Sequence, residues 1–217
     1  MGLGPTLMKN TAVSWDFHGV LEKNNEWAVR DTLNTVLKEN GLTARANVDF
    51  VRQHYGISWR DFYKILLLQV NEETLDHLVK RSNDIGLNHS RRYIKPREHA
   101  HDVLYEILRS GGKNLLLSNT QPDKLEAFVN MVGLGGLFTE VHGGESHNDI
   151  VKYKASKIRD FCEHYRLSRV FVVDDSPLGV AYGKLVGAEI YHFLSHNRTK
   201  HPQAHHGITD LRQVLQQ

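Results

Sequence analysis

The sequence predicts an α/β protein, a parallel sheet flanked by helices, with an all-helical segment inserted near its start. Three observations predict it. Short apolar runs that stop at Asp or Ser recur along the chain, helical periodicities separate them, and from about residue 26 to 88 the strand signal vanishes. Strands that alternate with helices imply a parallel sheet with right-handed crossovers. Parallel strands are buried on both faces, so they read as unbroken apolar runs, as these do.

Ala12-Val13-Ser14-Trp15 is a short apolar run ending in Asp16, with Gly19 just beyond, and reads as a buried strand feeding a loop. Trp27–Leu37, Val48–Tyr55, Trp59–Val70 and Glu73–Ile85 carry apolar residues at helical spacing, with breaks expected at Gly41, Gly56 and Gly86. After Pro96 the alternation begins. Val103, Leu104, Ile107 and Leu108 share a helical face closed by Gly111-Gly112, and Leu115-Leu116-Leu117 is a strand running into Ser118-Asn119-Thr120. Leu125, Phe128, Val129 and Val132 mark the next helix, Phe138–Val141 a strand, and Ile158, Phe161, Cys162 and Tyr165 the inward face of another helix. Val170-Phe171-Val172-Val173 is the most strand-like run and ends in Asp174-Asp175; a short helix and a last strand, Glu189–Phe193, complete the series. The expected organisation is an α/β core from residues 1–24 and 90–217, with 25–89 as a helical domain inserted in it.

Composition narrows the function classes. A net charge of +2 over 217 residues, without a run of five or more like charges, argues for neither nucleic acid nor a membrane surface as partner. Cys162 is the only cysteine, so a disulfide within the chain is impossible and a reducing, cytoplasmic location is expected. No apolar stretch approaches the roughly 20 residues needed to span a bilayer. Gly2 with Thr6 matches a loose myristoylation pattern, with no basic cluster or second lipid site to support it.

Chemistry is expected where strands end. Asp16 follows the first apolar strand, Ser118 the second, and Asp174-Asp175 the last long one. In open α/β sheets the carboxyl ends of the strands line the ligand-binding crevice. One carboxylate at such an end is commonly a helix cap; three strands that all discharge onto Asp or Ser converge on one site.

These residues resemble the haloacid-dehalogenase-like superfamily. Ser14-Trp15-Asp16-Phe17-His18-Gly19-Val20-Leu21 is similar to its first motif, and Asn114-Leu115-Leu116-Leu117-Ser118-Asn119 to its second. Lys154-Ala155-Ser156-Lys157-Ile158 suits the lysine motif, with Lys152 the alternative, and Val170–Val173 with Asp174-Asp175-Ser176-Pro177 resembles the acidic fourth. The resemblance implies a Rossmann-like core and a C1 cap formed by the insert. It also implies a Mg²⁺-dependent phosphohydrolase in which Asp16 attacks phosphorus to give an aspartyl-phosphate, splitting one difficult displacement into two easier ones. Asp16, the backbone carbonyl of His18 and Asp175 would ligate the ion, with Asp174 beside them or just behind. The motif lysine would hold Asp16 and the phosphate together, while the Ser118 hydroxyl and the Asn119 amide would donate to phosphoryl oxygens.

Two positions depart from the family pattern. The acid/base Asp expected two residues after the nucleophile is His18, which can protonate a leaving oxygen and then deprotonate water. Where another acid commonly follows four residues after the metal-binding Asp, this chain has Gly179. Ser118 also competes for a role as N-cap of the helix beginning near Gln121, which Thr120 could fill instead.

Other candidates are weaker. Gly133-Leu134-Gly135-Gly136 follows a helix and lacks the dinucleotide spacing. His192, His196, His201, His205 and His206 lack ligand-like pairing and are expected in a solvated loop. Arg60, at the Tyr55–Arg60 break in the insert, is placed either to offer charge to an anionic substrate or in an ordinary helix–helix turn. A helical cap favours a small phosphorylated metabolite, acted on by a monomer or homodimer. The alternatives are a 2-haloacid dehalogenase, which would not need the acidic pair, a phosphonate hydrolase, or a catalytically weak binding protein that lost turnover with the second Asp.

Overall fold

Five expected strands and one further strand assemble into one sheet in the computed structural model, which describes residues 8–144, 149–195 and 199–216. The strands are β1 (Thr11–Trp15), β4 (Lys113–Ser118), β5 (Glu140–Gly143), β6 (Arg169–Asp174), β7 (Glu189–Phe193) and β8 (His206–Ile208), in the spatial order β5-β4-β1-β6-β7-β8. Every pairing is parallel. β2 (Glu22–Lys23) and β3 (Lys95–Pro96) pair separately as a two-stranded ribbon.

The order fixes where a site can form. From β1 the chain builds outward through β4 and β5, then returns to the other flank of β1 to lay down β6, β7 and β8. That reversal opens a crevice at the carboxyl ends of β1, β4 and β6. Register aligns those ends: Trp15 pairs with Leu116 on one side and Val173 on the other, and the Asp16 N–H donates to the Val173 carbonyl at 2.9 Å.

The chain divides into two compact units, Met1–Glu22 with Pro96–Gln217, and Lys23–Lys95. In the first, all five residues of β1 are buried. The helices α5 (Ala100–Arg109), α6 (Pro122–Met131), α7 (Ile150–Tyr165) and α8 (Pro177–Leu185) lie between the strands in sequence. Ile158, Phe161 and Tyr182 pack with Leu115, Leu117 and Val172 into one apolar cluster. A polar tie crosses the interior: Trp15 Nε1 donates to Asn114 Oδ1 at 3.0 Å, and Asn114 Nδ2 donates to the carbonyls of Leu104 and Leu137. Buried amides persist when both ends are matched in this way.

The second unit is wholly helical apart from its boundary residues, with α1 (Asn25–Glu39), α2 (Val48–Gln53), α3 (Trp59–Leu67) and α4 (Glu72–Tyr93). Leu33, Val36, Leu37, Val51, Phe62, Tyr63, Leu75 and Leu78 form its core. Asn47, Ser58 and Asn71 each cap a helix by accepting a backbone N–H in the first turn. Gly41 and Gly56 adopt positive φ at turns, as expected. Gly86 does not end its helix. It keeps helical backbone, and Ser90 Oγ donates back to its carbonyl, so α4 continues to Tyr93.

The carboxyl-terminal region also differs from expectation. β8 extends the sheet, and His192, expected in a solvated loop, lies buried in β7. His205 Nδ1 accepts the Ile190 N–H, and His206 pairs with Glu189 at 2.8 Å while stacking on Tyr191. These histidines make contacts with backbone and neighbours, His192 buried and His205 still exposed. His196 and Gly2 lie outside the described residues. Among the described residues, no helix is long and apolar enough to cross a membrane.

Candidate active site

Asp16 is the first residue beyond β1, and Lys154 reaches it from α7 with Nζ 2.8 Å from Oδ1. Lys154 is only 3% exposed and also stands 3.8 Å from Asp174 Oδ2. Lys152, two residues earlier on the same helix, points the other way; it is 81% exposed and pairs with Asp149. A two-residue step turns a side chain through about 200° on a helix, so only one of these lysines can face the strand ends. The structure brings Lys154 there.

Carboxylate oxygens of Asp16, Asp174 and Asp175 all lie within 4.8 Å of one another. The two residues of the acidic doublet are held differently. Asp174 Oδ1 accepts the N–H and hydroxyl of Ser176 at 2.8 and 2.6 Å, and Oδ2 accepts the Tyr182 hydroxyl at 2.6 Å. Asp175 Oδ2 accepts the Ser195 hydroxyl at 2.6 Å. The Asp175 backbone carbonyl faces His192 Nε2 at 3.1 Å. His192 Nδ1 accepts the His201 N–H, so the ring proton sits on Nε2 and is donated to Asp175.

Burial and charge act together on these groups. Burial raises the Asp16 carboxyl from an ordinary 3.8 to about 6, against the pull of Lys154 and with help from Asp174. For Lys154, burial disfavours the ammonium, but Asp16, Asp174 and Asp175 more than offset it, so its pKa lies above the usual lysine value. Burial, then Asp174, lifts the Tyr182 phenol well above its ordinary range, keeping it a donor.

The loop after β1 turns tightly, with the Leu21 N–H donating to the Phe17 carbonyl. Gly19 adopts φ +85°, and a Cβ there would come within 2.6 Å of Asp175 Oδ2. Glycine is required on both counts. His18 projects from this turn, with Nδ1 3.1 Å from Glu22 Oε1 and Nε2 3.1 Å from Thr120 Oγ1.

Ser118 ends β4, and its hydroxyl donates to Thr120 Oγ1 while accepting the Thr120 N–H, both at 3.2 Å. Neither residue caps α6. That helix begins at Pro122 after Gln121, and a proline first position has no N–H to satisfy. The buried Asn119 Oδ1 has no hydrogen-bond partner among the described residues. Arg60 lies in the helical unit, where its guanidinium pairs with Glu72 and Asp76; its charge is already answered there.

Motif reading passed over Glu22, Tyr182 and Ser195. Glu22 had a signal, an acid four residues after a site histidine within one loop. The others act through tertiary contacts with no fixed spacing to the motifs.

A family model described as haloacid dehalogenase-like hydrolase matches residues 13–192. No curated protein matches the chain in sequence. Among solved structures, it is similar to a predicted phosphoglycolate phosphatase from Haemophilus somnus, with TM-score 0.81, 14% identity and 99% of each chain covered. It is also similar to a haloacid dehalogenase-like family hydrolase from Streptococcus pneumoniae, with TM-score 0.75, 13% identity, and 95% of this chain and 97% of that one covered. A haloacid dehalogenase-like protein from Agrobacterium tumefaciens gives TM-score 0.69 at 18% identity, with 94% and 96% covered. At these identities the likeness is one of fold. The family match, which runs from β1 into β7, establishes that the chain belongs to the haloacid dehalogenase-like hydrolases.

Proposed function

We propose that this hydrolase is a Mg²⁺-dependent phosphatase of the C1-capped type, acting on a small phosphorylated metabolite through an aspartyl-phosphate on Asp16. The observation that carries the reading is the buried Lys154–Asp16 contact beside two further carboxylates. The helical unit is inserted between β1 and β4, the position of a C1 cap in the chain. The name of the Haemophilus neighbour agrees with a small phosphomonoester as substrate class.

The donor set fits Mg²⁺, which prefers hard oxygen ligands and keeps several waters. Asp16, Asp175 and the His18 carbonyl would hold it. Asp174 stands behind, because Ser176 and Tyr182 already occupy its oxygens. Bound there, the ion would neutralise charge between the carboxylates and the phosphate.

The chain's own residues do the rest. Lys154 holds Asp16 in place and adds a fixed positive charge where a carboxylate must meet an anionic phosphoryl group. The Ser118 hydroxyl and the Asn119 N–H orient the phosphoryl oxygens. Asp16 forms its bond to phosphorus as the bond to the leaving oxygen breaks, and His18, entering this step with both ring nitrogens protonated, gives that oxygen its Nε2 proton and keeps the one on Nδ1. His18 then takes a proton from water as the water oxygen bonds phosphorus and Asp16 is released.

A panel of phosphorylated metabolites assayed with and without Mg²⁺, comparing the native protein with Asp16→Asn, tests this. Turnover should depend on Mg²⁺ and fall by at least about 10³-fold in the variant. Equal turnover by the two proteins would eliminate Asp16 as nucleophile.

A further inference from the structure

The position that departs most from the family pattern, His18, is answered by a residue that belongs to none of its motifs. Glu22 is fully buried, and its Oε1 faces His18 Nδ1 at 3.1 Å while accepting the Gly19 N–H at 3.1 Å. Burying a carboxylate costs several kcal/mol unless specific donors compensate. Here both contacts to Oε1 come from the loop that presents His18. Arg97 fixes the same loop from outside, donating from Nη2 to the carbonyls of Gly19 and Glu22 at 2.8 and 3.0 Å.

The hydroxyls on the other side of the ring complete a directional chain. The Ser118 hydroxyl donates to Thr120 Oγ1. Thr120 Oγ1 lies 3.1 Å from His18 Nε2, and with its own proton free to turn it can donate there. Glu22 Oε1 already accepts the Gly19 N–H, and as the acceptor toward the ring as well it takes the Nδ1–H at 3.1 Å. Each hydroxyl and the ring N–H is used once as a donor, and the chain ends on the Glu22 oxygen as acceptor. The nitrogen left unprotonated is Nε2, on the side of Thr120 and of Ser118, the proposed phosphoryl-binding residue. Which nitrogen of a histidine is free is set by the partner of the other.

We infer that Glu22 is a positioning residue for His18: it holds the ring proton on Nδ1 and turns Nε2 toward the reacting oxygen. The carboxylate that the family pattern places at the acid/base position is retained here one imidazole further back. The kinetic consequence rests on the phosphatase reading; the placement of the proton does not.

The test uses the full chain labelled with ¹⁵N-histidine, at mildly alkaline pH where imidazole is ordinarily neutral. Long-range ¹H–¹⁵N correlations show which nitrogen carries the proton, and the His18 signal is identified by its loss in His18→Asn. Nδ1 should be protonated in the native protein and should lose that preference in Glu22→Gln, with restoration in Glu22→Asp. Glu22→Gln should lower kcat by roughly 10- to 100-fold with KM nearly unchanged, and Glu22→Asp should recover part of it. An Nδ1 without its proton in the native protein overturns the inference, as does a native kcat in folded Glu22→Gln. Should Glu22→Gln fail to fold, the native spectrum alone decides. If Asp16→Asn turned over like the native protein, the phosphatase reading would fall while the spectrum still judged the role of Glu22.

Discussion

Asp16 and Asp174 stand at the ends of neighbouring strands, share Lys154, and are satisfied in opposite ways. Asp174 accepts three short hydrogen bonds from Ser176 and Tyr182 besides its contact with Lys154. Asp16 has Lys154 as its only side-chain donor among the described residues, and burial leaves its carboxyl raised to about 6. A carboxylate wrapped in donors is a fixture; one held by a single ammonium keeps lone pairs for an ion or for phosphorus. One buried lysine therefore serves an acid fixed in place and the proposed nucleophile.

Removing that lysine tests the contrast most severely. Lys154→Met strands Asp16 and takes the counter-ion from Asp174, and urea unfolding should show a loss of about 3–5 kcal/mol, the usual consequence of orphaning a buried charge. A loss under about 1 kcal/mol would mean that Asp16 and Asp174 do not depend on a common partner.

The second effect is smaller and concerns Asp16 alone. Its folded pKa, about 6, lies above the ordinary 3.8 expected on unfolding. Between these values the folded state holds a proton that the unfolded chain has released, so this group's stabilising contribution is lost as pH rises through that window. In metal-free protein, stability relative to Asp16→Asn should fall from about pH 4 to pH 6.5. Added Mg²⁺ should restore it more at neutral than at acid pH. Parallel stability curves for the two proteins would show that the Asp16 carboxyl is not raised.

The smallest effect serves as control. Lys152 is 81% exposed and pairs only with Asp149 among the described residues, so Lys152→Ala should change stability by less than about 0.5 kcal/mol and leave kcat intact. A large loss of activity would reopen which lysine serves Asp16.

Much of this was legible in sequence because parallel strands announce themselves as apolar runs and their ends announce the crevice. Asp16, Ser118 and the Asp174-Asp175 doublet are each found at the carboxyl end of such a run. The choice between Lys154 and Lys152 could not be made that way, because both open the same helix and only its rotation separates them. Tyr182 and Ser195 were invisible for another reason. Each reaches an aspartate of the doublet from a later segment, and no local pattern records that approach. The histidines near the carboxyl terminus read as solvated because polarity there masks a sixth strand of only three residues.

Gly179 has a consequence for how this site can change. It opens α8 so close to Asp174 that a Cβ would sit 2.2 Å from the Asp174 Cβ. An acid at that place, as the family resemblance leads one to expect, is therefore barred, not merely missing. No single codon change could supply it without evicting the neighbouring side chain, so an ancestor or engineer seeking a richer ligand set would have to move two residues at once.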